Sequence, residues 1–191
     1  MAMTETIELL REEHRRIEKL LLVLEQEVAV FDRRDPPDYE VLQAVVRFFE
    51  DYSARCHNPK ERIVLDVLRA RGPEAAAMIS GLESEHRQDA DRLRRLAQVL
   101  SSILSGHDVP RQAFDDAARD FIRHARYQID FEEHVMFPAA LKALQPTDWA
   151  GIESQLSDNG CRSSNSATQE KFRALSERIL EWEQVNQVAR M

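Results

Sequence analysis

Residues 4–31 read TETIELLREEHRRIEKLLLVLEQEVAVF. Ile7, Leu10, Ile17, Leu21, Leu24, Val28 and Phe31 recur there at three- and four-residue steps, the spacing that lines one face of an α-helix. The apolar stripe is interrupted by His14, which falls between Leu10 and Ile17 and therefore points inward. A single inward histidine is more often a hydrogen-bonded core residue than a ligand, so the meaning of His14 depends on what the rest of the chain brings to its level.

Asp32-Arg33-Arg34-Asp35-Pro36-Pro37 breaks the first helix, and a second is predicted over 38–71 with Val45, Phe49, Val64 and Leu68 inward. Pro59 lies inside it and predicts a kink, because proline lacks the amide donor and clashes one turn back. Gly72-Pro73 reads as a stop followed by a start, giving a third helix over 73–104 with Ile79, Leu82, Leu93, Leu96 and Leu100 aligned. Ser105 to Pro110 breaks the chain again before a fourth helix over 111–144, which buries Phe114, Ala118, Phe121, Val135 and Ala139. Four long helices with short links imply an all-α, up-down-up-down four-helix bundle with additional C-terminal helices. Residues 1–145 form the bundle in this reading, and 146–191 a helical extension. Within the extension, Thr147 caps a short helix to Leu156, and the polar stretch near 157–165 is expected to be mobile. Ser166-x-x-Gln169 opens a last helix with Phe172, Leu175, Ile179 and Trp182 as its stripe, to be buried on the bundle or in a homodimer.

Composition narrows the partners. A net charge of −8, spread along the chain, argues against nucleic acid and against anionic membranes. No apolar run approaches the roughly 20 residues of a membrane span, and the chain reads as cytoplasmic. Cys56 and Cys161 lack zinc-ligand spacing; Cys56 reads as a small buried residue.

The loops serve as a ruler for height in the bundle. His14 lies 17 residues from Phe31, His57 lies 19 from Asp38, His86 lies 18 from Leu104, and Gln128 lies 17 from Arg111. At a rise of about 1.5 Å per residue, all four fall within roughly 3 Å of one layer. One turn above stand Glu61, four residues after His57, and Glu132, four after Gln128. Inward carboxylates among inward imidazoles are costly unless something neutralises them, and a metal ion does so. Nitrogen and carboxylate oxygen without thiolate suit iron or manganese, and also zinc. The candidate metal residues are His14, His57, Glu61, His86, Gln128 and Glu132. His124, one turn from Gln128 on the side away from Glu132, is placed to hydrogen-bond a ligand or to stay a partly exposed polar residue. His107 and His134 are given no role.

These residues resemble a known family. His57-Asn58-Pro59-Lys60-Glu61 is close to the second-helix segment of hemerythrin-like HHE domains. Glu85-His86 looks like the third-helix histidine, Glu132 to Pro138 resembles the ending of the fourth helix, and His14 matches the first-helix histidine. The resemblance spans about residues 4–145. It implies a four-helix bundle around a non-heme di-iron pair, with His14, His57 and His86 as terminal ligands and Glu61 and Glu132 bridging. It further implies binding or sensing of oxygen or nitric oxide, and weak peroxide decomposition. Two departures stand out. Gln128 occupies the position where the family's fourth helix supplies a histidine. Leu82 and Ala90 flank His86 where oxygen carriers place a second third-helix histidine. Open coordination positions favour reaction or water binding over reversible oxygen carriage. The competing expectation is a degenerate structural or interaction module with one metal or none. A ferritin-like carboxylate site needs Glu-x-x-His on two helices, and here only Glu83-x-x-His86 fits.

Overall fold

The computed structural model describes residues 2–72, 76, 77, 79, 81–158 and 167–189. The first helix, α1 (Ala2–Asp32), ends where the chain turns through Arg34 in the left-handed region. Asp38 then caps the second, its carboxylate accepting from the amides of Glu40 and Val41 at 2.9 and 3.0 Å. That second rod is α2 (Tyr39–Tyr52), a π-helical turn (Ser53–His57) and α3 (Asn58–Ala70). The third is α4 (Leu82–Leu104). The fourth is α5 (Arg111–Phe131), a second π-helical turn (Glu132–Met136) and α6 (Phe137–Ala143). Around the bundle α1 packs on α2, α2 on α4, α4 on α5 and α5 back on α1, which is the expected all-α bundle; no strand occurs among the described residues.

The two π-helical turns share a cause. Pro59 and Pro138 each lack an amide and crowd the carbonyl four residues earlier, at Arg55 and His134, and each of those residues lies inside a π turn. Widening the turn relieves the clash; the Phe137 amide, for instance, reaches back five residues to the Glu132 carbonyl. Where a kink was expected near Pro59 the helix widens into a π-helical turn, and its twin before Pro138 was not anticipated.

The third helix corrects the sequence reading. It is continuous only from Leu82: Ala76 and Ala77 are helical, but the chain turns at Ile79 and Gly81. Glycine inside a helix costs about 1 kcal/mol relative to alanine, and Ile79 instead drops fully into the core.

Two apolar clusters fill the interior. One gathers Leu21, Phe49, Leu96, Phe114 and Phe121, and the other Ile7, Leu10, Val64, Phe137 and Trp149. His14 stands between Leu10 of the second and Ile17 of the first, so a polar seam separates the two.

Beyond the bundle, α7 (Pro146–Asp158) buries Trp149, Ile152 and Leu156 against α1 and α3. It begins at Pro146 rather than at a Thr147 cap: the Asp148 carboxylate accepts from the Gln145 amide at 2.7 Å and pairs with Arg71. The last helix, α8 (Ala167–Ala189), lies on α1 and α2, with the Phe172 ring against Tyr52 at 5.1 Å. Its buried face runs Phe172, Ser176, Ile179, Glu183, so Trp182 faces outward at 39% exposure, contrary to expectation. The predicted mobile stretch, apart from Ser157 and Asp158, lies outside the described residues, as do Ser166 and Cys161. Cys56 is buried. No helix among the described residues is long and apolar enough to cross a membrane.

Candidate metal centre

Both π-helical turns border one level of the bundle: the first ends on His57 and the second begins on Glu132. His14 arrives from α1, Glu61 from α3 and His86 from the first turns of α4. Ligating atoms of His14, His57, Glu61 and Glu132, all buried, lie within 4.8 Å of one another.

Glu61 and Glu132 lie at the centre and the imidazoles surround them. His57 Nε2 is 2.8 Å from Glu61 Oε1, and His14 Nε2 is 3.4 Å from the same oxygen. His14 Nε2 is also 3.2 Å from Glu132 Oε2. His86 Nε2 spans the pair, 3.4 Å from Glu61 Oε2 and 3.3 Å from Glu132 Oε1. Gln128 lines the same cavity as His86 and Glu132. His124 does not line it; its Nε2 faces Asp120 at 3.8 Å. His134 lies on the surface, its Nδ1–H donating to the Asp130 carbonyl at 2.9 Å, and His107 is exposed.

Outside this ring lies a second set of charges that the sequence reading missed. His14 Nδ1 is 2.8 Å from Glu133 Oε1, and Glu133 is itself held by Arg11 at 3.1 Å. His57 Nδ1 is 3.0 Å from Glu13 Oε2, and Lys60 Nζ meets the other Glu13 oxygen at 2.5 Å. Glu13 and Lys60 have no exposed surface. An outer carboxylate on Nδ1 fixes the ring and presents Nε2 to the centre, the arrangement that metal-binding histidines use. The available signal was adjacency: Glu13 precedes His14 and Glu133 follows Glu132.

Charge balance follows from the distances. Burial by itself would favour neutral His14, but hydrogen bonds to Glu132 and Glu61 outweigh it and raise its pKa from 6.5 to about 11. His57 rises to about 9, the attraction of Glu61 and the hydrogen bond to Glu13 overcoming its desolvation. His86 is raised in the same way by Glu132 and Glu61. Glu61 lies well below the ordinary range, because His57 and His14 outweigh the desolvation that opposes its charge. The imidazolium protons offset the charge of Glu61, and a cation taken up there would replace them. Three imidazole nitrogens and two carboxylates without thiolate fit a hard or borderline ion such as iron or manganese.

Asp89, three residues after His86, lines the cavity. Burial raises its carboxyl from 3.8 to about 6 despite the nearby Arg92. The folded chain thus holds this proton more tightly than the unfolded chain, and the stability it adds is lost as pH climbs from about 4 through 6. Asp89→Asn should melt like the wild type near pH 4 and a few degrees higher at about pH 7.5. Parallel melts at the two pH values check this; equal melting temperatures at the higher pH would refute it.

The family described as the hemerythrin HHE cation binding domain matches residues 5–140. A pantothenate synthetase from Chromobacterium violaceum is 28% identical over 119 residues, 61% of this chain and 40% of that protein. No solved structure matches the chain.

Proposed function

Since the chain belongs to the hemerythrin HHE cation binding domain family, we propose that it holds non-heme iron, two ions per chain, between Glu61, Glu132 and the imidazoles of His14, His57 and His86. The observation that supports this most is the convergence of three Nε2 atoms on two buried carboxylates while Glu133 and Glu13 hold the Nδ1 atoms of His14 and His57 from behind. Iron bound there supplies affinity for a small diatomic such as oxygen or nitric oxide, and redox chemistry toward peroxide. Glu61 and Glu132 carry the charge that retains the ions, and the outer carboxylates hold the rings in orientation. Phe137, stacked on His14 at 5.4 Å, and the apolar clusters flank the centre on the sides away from the cavity. Residues 1–145 are the metal-binding unit in this reading and 146–191 an appendage. Trp182, Val185 and Val188, exposed on α8, would form the contact in a homodimer. The pantothenate synthetase match spans less than half of that protein and lends no activity to this chain.

A second reading has one observation in its favour. The imidazole nitrogens lie within 2.8–3.4 Å of Glu61 and Glu132, so the buried carboxylates have partners of their own and the domain would serve as a structural or interaction module with one metal or none. Iron per chain, together with the near-ultraviolet absorption of bound ferric ions, separates the two.

Gln128 tests the site at the residue most particular to this sequence. Its carboxamide is a weak neutral donor beside His86 and Glu132, and imidazole binds iron more strongly. Gln128→His should raise iron occupancy several-fold at limiting iron, whereas Gln128→Leu should stay at or below the wild type. His124→Ala should change little, since His124 faces Asp120. Loss of iron in His124→Ala, with no gain in Gln128→His, would transfer the role to His124.

A further inference from the structure

Beside the cluster lies a cavity of about 250 Å³. Its polar end is formed by His57, Glu61, His86, Glu132 and the Gln128 carboxamide. Ile17, Phe49, Leu93, Phe121, Ala125 and Ile129 form an apolar part beyond it, and Glu50, Asn58, Asp89 and Arg94 add polar lining. Exposed lining residues Glu50, Ala90 and Arg94 place the mouth between α2 and α4.

The size exceeds what a diatomic requires. A water molecule takes about 30 Å³ of liquid, and an apolar cavity of about 150 Å³ holds benzene. The cavity includes the end that the proposed ions would occupy, so its apolar part fits one aromatic ring and little more. The shape of the lining agrees: the Phe49 and Phe121 rings meet edge to face at 5.1 Å, a geometry that a third ring extends favourably. Charge at the mouth disfavours an anion: exposed Glu50 lines it, and Arg94 is committed to Asp91 at 2.7 Å.

We infer that this cavity binds a neutral single-ring aromatic alcohol of the phenol class, its ring among Phe49, Leu93 and Phe121 and its hydroxyl at the Gln128–His86 end. The inference rests on the proposed metal site for the chemistry of that polar end. The occupant sits beside the centre rather than on it, and so adds an organic ligand class to the small ligand proposed above.

The test titrates the full chain, with its iron content measured, with phenol by calorimetry and by thermal shift. Phenol should bind saturably, one per chain, and raise the melting temperature. Ala125→Phe and, independently, Leu93→Trp fill the apolar part and should each weaken phenol at least tenfold with iron content unchanged. No saturation, or equal affinity in whichever of the two filled variants folds, overturns the inference; benzoate binding more tightly than phenol overturns its neutral class. A chain that keeps iron but ignores phenol refutes the cavity alone. One that binds phenol without retaining iron refutes the metal reading alone.

Discussion

Glu61→Ala is expected to empty the centre of metal and also to destabilise the metal-free chain. Glu61 receives all three imidazoles, at 2.8 to 3.4 Å, and is buried. Removing it leaves Glu132 as the one carboxylate at the centre and takes from His57 its only central partner, and breaking a buried ion pair costs about 3–5 kcal/mol. For a chain of this length that corresponds to a fall of about 10 °C in melting temperature. His57→Ala should strip metal equally but cost the metal-free chain less, because Glu61 keeps His14 and His86, and Glu13 keeps Lys60. Metal analysis and melts with and without a chelator check both variants. If both retain wild-type metal content, the centre is elsewhere.

Glu13→Ala should be comparably damaging for a different reason. It removes the carboxylate facing the Lys60 ammonium, and both groups are fully buried, so a loss of about 3–5 kcal/mol is expected. The double variant Glu13→Leu, Lys60→Met should recover most of that stability, since well-packed apolar groups replace buried pairs at little cost. Metal affinity should not recover. With Glu13 gone, His57 Nδ1 loses its outer hydrogen bond, and such losses lower metal affinity roughly 10–100-fold. Denaturant melts of the chelated chain and competitive metal titration separate the two effects. A double variant that regains both would mean that Glu13 serves packing alone.

Much of the bundle could be read from the sequence because its breaks are chemically explicit: Pro36-Pro37, Gly72 and Gly106 fall where no helix continues. Gly81 was the exception, read through because apolar residues on both sides kept the helical period. Counting along the helices put four residues at one height, although His57 lay 19 residues from its loop against 17 for His14. The π-helical turn ending on His57 accommodates that longer count. Glu13 and Lys60 escaped notice because the reading followed one inward stripe per helix. α1 packs against α2, α5, α7 and α8, so more than one of its faces is buried and a charge just off the stripe is still inside. Trp182 was misplaced by the converse error. Ser176 and Glu183 occupy buried positions that apolar counting ignores.

The polar seam between the two apolar clusters bears on how the molecule comes apart. Each cluster is a hydrophobic unit with its own C-terminal helix docked on it, α8 on the first and α7 on the second. Contiguous units of this kind open with separate free energies unless something ties them together. Between these two, the ties at the level of His14 are ionic contacts among His14, His57, His86, Glu61 and Glu132, drawn from all four rods of the bundle. Cooperativity of unfolding therefore passes through the centre. Amide exchange in the two halves should follow one global opening when the cluster is intact and divide into two when Glu61 is removed.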